Sequence, residues 1–192
     1  EVNIPYVKID DNWENEKEKD KLPKFEGVGV VTPDEFKGFI SGEKINGLQW
    51  MTKETKKGEI TIPREDKFVS ITIDNLKIKV KPKVQGNDVK FEVKLNMNAL
   101  LSSFEGKITE KEIRQFVKKQ IKKEIEETYL EGLEKDVDIY RLSEYLYRSD
   151  VKNWNKVQKD GKVPLTENSI SSITIDVNKV YTGRKAFKET IE

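Results

Sequence analysis

Between Phe68 and Met97, apolar residues alternate with polar ones through two long runs, and no other stretch limits the possible folds as tightly. Val69, Ile71 and Ile73 alternate with Ser70, Thr72 and Asp74; Leu76, Ile78, Val80 and Val84 then alternate with Lys77, Lys79, Lys81 and Lys83. A period of two sends successive side chains to opposite faces, so this is β structure with one apolar and one wet face. The apolar parity changes from odd to even between Ile73 and Leu76. One extra residue at Asp74-Asn75 has that effect, which predicts a β-bulge or sharp bend there. Gln85-Gly86-Asn87-Asp88 reads as a turn. Val89, Phe91, Val93 and Leu95 then return along an antiparallel partner whose Lys90, Glu92, Lys94 and Asn96 face out.

An apolar sheet face needs a cover, and the chain supplies one. Thr109 with Glu112 forms a capping box. Ile113, Phe116, Val117, Ile121, Ile125 and Thr128 follow at three- and four-residue steps, the stripe of an amphipathic helix. Gly132 is a possible stop, with fraying to Asp136. The charges of this helix run from Lys118, Lys119, Lys122 and Lys123 to Glu124, Glu126, Glu127, Glu131 and Glu134, and read as a solvated face with Lys122–Glu126 and Lys123–Glu127 pairs. Asp138 to Tyr147 is a second, shorter helix. Asp150 to Val157 is a third, capped by Asp150 and anchored by Trp154. Residues 161–168 are a loop, Ile170 to Thr182 a last strand with Ile173, Ile175 and Val177 alternating, and residues 184–192 a tail.

Upstream, Val2 to Ile9 has β character, and Pro5 confines it to an edge. Residues 10–24 are dense in charge and read as a linker or mobile loop. Compact structure begins near Phe25, where Phe25–Thr32 and Glu35–Ser41 flank the Pro33-Asp34 turn signal and suggest a hairpin. Gly27-Val28-Gly29 has part of a dinucleotide-binding pattern, but the third glycine is missing and a strand, not a helix, follows. Next, Gly38, Gly42 and Gly47 punctuate a short apolar run, Glu43 and Leu48-Gln49-Trp50. The stretch from Glu43 to Trp50 suits a short helical turn capped at Ser41-Gly42, with Ile45, Leu48 and Trp50 pointing inward. Gly58 then opens a strand over Glu59–Pro63.

Residue types exclude much chemistry. The 192 residues contain neither cysteine nor histidine, which removes thiol and imidazole nucleophile pairs, disulfides and the commonest metal ligands. The 36 basic and 35 acidic residues give a net charge of +1, so a strong electrostatic footprint for nucleic acid is absent. Lys77, Lys79, Lys81 and Lys83 form one basic stripe. It could meet an anionic surface, but also reads as a solvated face that discourages edge aggregation. No run of about 18 apolar residues is present. The residues thus specify an α+β protein: a bent antiparallel sheet with a long amphipathic helix and shorter helices packed on one face. A carboxylate-based cell-wall hydrolase stays open as an alternative, since two acidic side chains about 5–9.5 Å apart would suffice and 35 are available. So does a generic extracytoplasmic protein-binding module.

The order of the motifs narrows this. Gly27-Val28-Gly29-Val30-Val31 leads into Gly38-Phe39-Ile40, Gly42-Glu43 and Gly47-Leu48-Gln49-Trp50. Gly58-Glu59-Ile60-Thr61-Ile62-Pro63, the lysine-rich strand ending at Pro82, the Lys-Glu-Ile helix, Asp138, Trp154 and Tyr181-Thr182-Gly183 follow. This succession, over about Phe25 to Phe187, resembles the C-terminal domain of the Ger(x)C lipoproteins, the C subunits of bacterial spore germinant receptors. The resemblance implies a connector at 1–24 from a preceding domain and a Ger(x)C C-terminal domain at 25–192. It implies a non-enzymatic receptor subunit without cofactor. It also implies assembly with the receptor's A and B membrane subunits and a lipid anchor outside this sequence, on the outer face of the spore inner membrane. Asn46 stands where the family usually has arginine before Gly-Leu. The family-motif residues, and candidates for partner docking, are Gly42, Glu43, Gly47, Leu48, Trp50 and Trp154. The glycines among them also suit turns and close packing, and both tryptophans suit a core. An exposed Trp50 would mark a docking surface, since tryptophan is enriched at binding hot spots.

Overall fold

The computed structural model describes residues 2–14, 19–64, 67–103 and 108–182. β1 (Val2–Glu14) is an edge strand, as Pro5 requires, and pairs antiparallel with β2 (Lys19–Val31). The stretch expected as a linker over 10–24 is therefore strand at 10–14 and 19–24, the outer part of a long ribbon. Backbone pairing satisfies the ladder whatever the side chains, so the run forms strand without any apolar pattern. β2 pairs antiparallel with β3 (Phe36–Ser41) through the expected turn, where the Thr32 amide donates to the Glu35 carbonyl at 2.9 Å. The partial dinucleotide pattern lies in β2, as a strand.

A single 3-10 turn, Gly42–Ile45, and α1 (Gly47–Met51) lead to β4 (Lys57–Arg64), β5 (Lys67–Gln85) and β6 (Asp88–Ser103). Then come α2 (Glu110–Glu134), α3 (Leu142–Ser149), α4 (Val151–Val157) and β7 (Ile170–Thr182). The second sheet has the order β4-β5-β6-β7. Its first three strands are antiparallel, but β7 runs parallel to β6, so the sheet is mixed rather than antiparallel throughout. Between β6 and β7 the chain crosses over through α2, α3 and α4, and such a crossover returns a strand in its original direction. The α+β class stands.

The bend falls where the parity change puts it. Asp74 pairs with Asn98 and Lys77 with Asn96, so Asn75 and Leu76 oppose one residue, and Asn75 adopts φ +50°. Asn98 Nδ2 donates to Asp74 Oδ1 at 3.0 Å and the Tyr181 hydroxyl bonds Asp74 Oδ2, holding the bend from β6 and β7. Val69, Ile71, Ile73 and Val80 are buried on β5, and every odd position from Val89 to Leu101 on β6. Across from them lie Ile113, Val117, Ile121 and Ile125 of α2, all fully buried, with Phe116 half-buried at the margin. Both halves of the capping box are made: Glu112 N–H donates to Thr109 Oγ1 at 3.2 Å and Thr109 N–H to Glu112 Oε2 at 2.7 Å. The Lys122–Glu126 and Lys123–Glu127 pairs form at 3.7 Å each. The four lysines of the β5 stripe are exposed, and Lys83 pairs with Glu92.

The second helix starts later than expected, at Leu142. Arg141 has φ +53°, outside the helical range, and the Asp138 carboxylate accepts from the amides of Leu142 and Ser143 at 2.7 Å each. Asp138 is thus a cap beyond the helix, not its first residue. Burial pushes the Asp138 carboxyl up, against the pull of those two amides. α4 has its expected cap, Asp150 accepting from the Asn153 amide at 3.0 Å. The tail expected at 184–192 lies outside the described residues. Among the described residues no helix is long and apolar enough to cross a membrane.

Tyr129 of α2 donates its hydroxyl to the Thr166 carbonyl at 2.8 Å, tying the helix to the loop before β7. Burial raises its pKa from 10.0 to about 12. Above pH 10 an unfolded Tyr129 loses its proton while the folded one keeps it, so unfolded chains bind fewer protons and stability falls as pH rises. That contribution is whole below pH 10 and is lost toward pH 12. Ultraviolet titration of tyrosinate should therefore show a late-ionising group that disappears in Tyr129→Phe. A titration unchanged by that substitution would contradict the burial.

Candidate functional site

The glycine-punctuated segment is a lid of two short turns pressed against α2. Gly42 enters the 3-10 turn at φ +63°, with no atom of the described residues beyond its chain neighbours within 4 Å of where a Cβ would stand, and Ser41 makes no side-chain cap. Gly47 opens α1, and its amide donates to Thr128 Oγ1 at 2.9 Å. The Thr128 hydroxyl in turn donates to the Lys44 carbonyl at 2.7 Å, so one hydroxyl on α2 serves both turns. A Cβ on Gly47 would lie 2.3 Å from the Tyr140 hydroxyl oxygen and 2.4 Å from the Glu124 carbonyl oxygen. Only a residue without a side chain lets the two backbones approach so closely.

Trp50 is fully buried. Its ring lies against β4, where a Cβ on Gly58 would come within 2.5 Å of it. Its Nε1 donates to Glu124 Oε2 at 2.5 Å, and Gln120 Nε2 donates to the other carboxylate oxygen at 2.8 Å. Glu124 is thereby removed from the solvated charge row in which its neighbours stand; it is buried and hydrogen-bonded on both oxygens. Tyr140 completes the node, its hydroxyl donating to the Ile125 carbonyl at 2.9 Å, and burial pushes that hydroxyl well above its ordinary pKa.

The six motif residues divide accordingly. Gly47 and Trp50 are interior, Leu48 is half-buried against the core, and Gly42 and Glu43 are exposed at the outer corner. Trp50 does not meet the exposure that a docking role requires of it. Trp154 is remote from this group. It stands half-buried on α4 with its ring 5.1 Å from Tyr147, edge to face at 73°. Together they line a cleft of about 1170 Å³ between the β2–β3 turn, α3, α4 and the 160–162 loop. Lys37, bridging Glu35 at 2.7 Å and Asp136 at 3.8 Å, and Lys162, bridging Asp136 at 3.0 Å, close one side. Among the described residues the buried Trp154 Nε1 has no hydrogen-bond partner.

The residues that sequence reasoning missed are Glu124 as a buried acceptor and Tyr140 as a bridge. Position 124 falls three residues after Ile121 and four before Thr128, on the apolar stripe, so helical spacing alone marks it as an interior carboxylate needing a donor. Among the described residues no three carboxylates gather where a metal ion could be held.

The family model described as Spore germination B3/GerAC like, C-terminal, matches residues 26–183. No curated protein matches. A solved structure, titled Crystal Structure of the GerBC protein, superposes with a TM-score of 0.65 at 18% identity. The alignment covers 93% of this chain and 57% of that one, so this chain spans little more than half the length of its solved relative. At that identity the likeness is one of fold.

Proposed function

This chain belongs to the spore germination B3/GerAC-like family, matching its C-terminal domain, and from that premise we propose that it is the scaffold domain of a non-enzymatic germinant receptor C subunit. The family match over residues 26–183 carries the reading. The domain serves assembly with the membrane-embedded A and B subunits, and nutrient-triggered germination depends on that assembly. A lipid anchor elsewhere in the full-length protein holds it on the outer surface of the spore inner membrane, and residues 1–24 connect it to a preceding domain. What supports a scaffold over a catalyst is the use of the motif. Gly47, Trp50 and Glu124 are spent on locking a turn to a helix, and the chain has no histidine or cysteine for nucleophilic chemistry. The exposed corner at Gly42-Glu43 and the Trp154–Tyr147 cleft are the places offered to a partner.

The test is capture of A and B subunits from detergent-solubilised spore membranes by the lipidated full-length protein, beside a deletion strain. Co-purification of both, with loss of nutrient germination in the deletion strain, is expected. Deletion spores that germinate normally and retain both other subunits would overturn the reading.

A further inference from the structure

Among the described residues of the three-stranded sheet, the buried apolar side chains all lie on one face. Val28, Val30 and Ile40 point into the core. The register puts Val2, Ile4 and Tyr6 of β1, Val31 of β2, and Phe36 and Phe39 of β3 on the opposite face. The Tyr6 and Phe39 rings stand 4.6 Å apart and those of Phe36 and Phe39 5.0 Å apart, over Gly29. Yet Val2, Ile4, Phe36 and Phe39 are each between 51% and 54% exposed. A contiguous aromatic and aliphatic face open to water marks an interaction surface.

What covers it follows from position. β1 and the start of β2 precede the family-matched segment, which begins at residue 26, yet they are folded onto it as strands. The matched segment is the C-terminal one of the family, and the solved relative has 43% of its length outside the alignment (100 − 57). The open face is built on the strand that leads in from that direction. We infer that it is the seat of the domain preceding this one in the full-length subunit, with β1 as the shared element. This rests on the reading of the chain as part of a longer receptor subunit. The seated domain fixes the orientation of the C-terminal domain against the rest of the subunit.

The absence of cysteine makes the test direct. Ile4→Cys, Phe36→Cys and Phe39→Cys, each placed singly, are labelled with a neutral maleimide in the 192-residue chain and in a longer chain carrying the upstream sequence, any upstream cysteine there replaced by serine. Lys79→Cys, on the exposed lysine row of β5, is the control. Labelling at the three sheet positions should be fast in the short chain and about tenfold slower or more in the long one, as for a face docked about nine-tenths of the time, with the control unchanged. Equal rates in both chains would overturn the inference. So would slowing in the short chain that grows with protein concentration, which indicates a second copy, or that appears on adding phosphatidylglycerol vesicles, which indicates a lipid surface. All three outcomes leave capture of the A and B subunits, and hence the receptor reading, to stand or fall separately.

Discussion

Trp50→Ala should be the most damaging single substitution in this domain. Truncating a buried tryptophan costs about 3–5 kcal/mol through lost contacts and the cavity left behind. Here a second cost is added, because the Glu124 carboxylate loses its indole donor at 2.5 Å while remaining buried. An unsatisfied buried polar group costs about 1–3 kcal/mol, more when charged. Against a total stability of about 5–15 kcal/mol, the variant should be largely unfolded in mild denaturant. Urea titration followed by far-ultraviolet circular dichroism measures this. Two further variants separate the causes. Trp50→Phe keeps most of the ring volume and should lose about 1–3 kcal/mol, chiefly the donor. Adding Glu124→Met to it removes the orphaned acceptor and should restore part of the loss. A Trp50→Ala protein within about 1 kcal/mol of the parent would show that the tryptophan is not the wedge between α1, β4 and α2.

Gly47→Ala should come next, and for a different reason. The new methyl would stand 2.4 Å from the Glu124 carbonyl oxygen, which belongs to the backbone of a 25-residue helix and cannot step aside. α1 must lift off α2 instead, and the Gly47 amide leaves Thr128. A loss of about 3 kcal/mol is expected, the upper end of the usual range for overpacking. Tyr140→Phe, introduced together with Gly47→Ala, removes the 2.3 Å contact with the tyrosine oxygen but not the carbonyl contact, so it should rescue little. Gly42→Ala is the contrast. It has open space around the Cβ position and a left-handed backbone, so its loss should be about 1 kcal/mol. Equal losses at Gly42 and Gly47 would show that backbone strain rather than close approach governs the motif.

These two positions mark how far the sequence could be read. The alternation of Val69 to Leu95 carried its own geometry, down to the bulge at Asp74-Asn75, because a change of parity has few backbone solutions. The long helix was legible for the same reason, its capping box and apolar stripe being local patterns. The ribbon over residues 10–24 was not. Its side chains carry no apolar alternation, and its strands exist through pairing with each other. The parallel setting of β7 was equally hidden, since a strand's direction depends on the path of the crossover and leaves no mark on its residues.

The candidate site divides along the same line. Glycine spacing and Trp50 were visible as a motif, and their order identified the family, but the burial of Trp50 required α2 to be in place. Glu124 sits among charged neighbours in the sequence and becomes an interior acceptor only when the indole arrives from a residue 74 positions away. The apolar face of the first sheet likewise exists only as a tertiary fact: Val2, Ile4, Phe36 and Phe39 are unremarkable until β2 brings β1 and β3 side by side. The sequence by itself determined the period, parity, caps and residue chemistry, because each depends on neighbours a few positions apart. Which polar groups meet in the interior, and which apolar groups are left facing outward, was decided by the packing of segments distant in the chain, and both the motif's structural role and the open sheet face belong to that second kind.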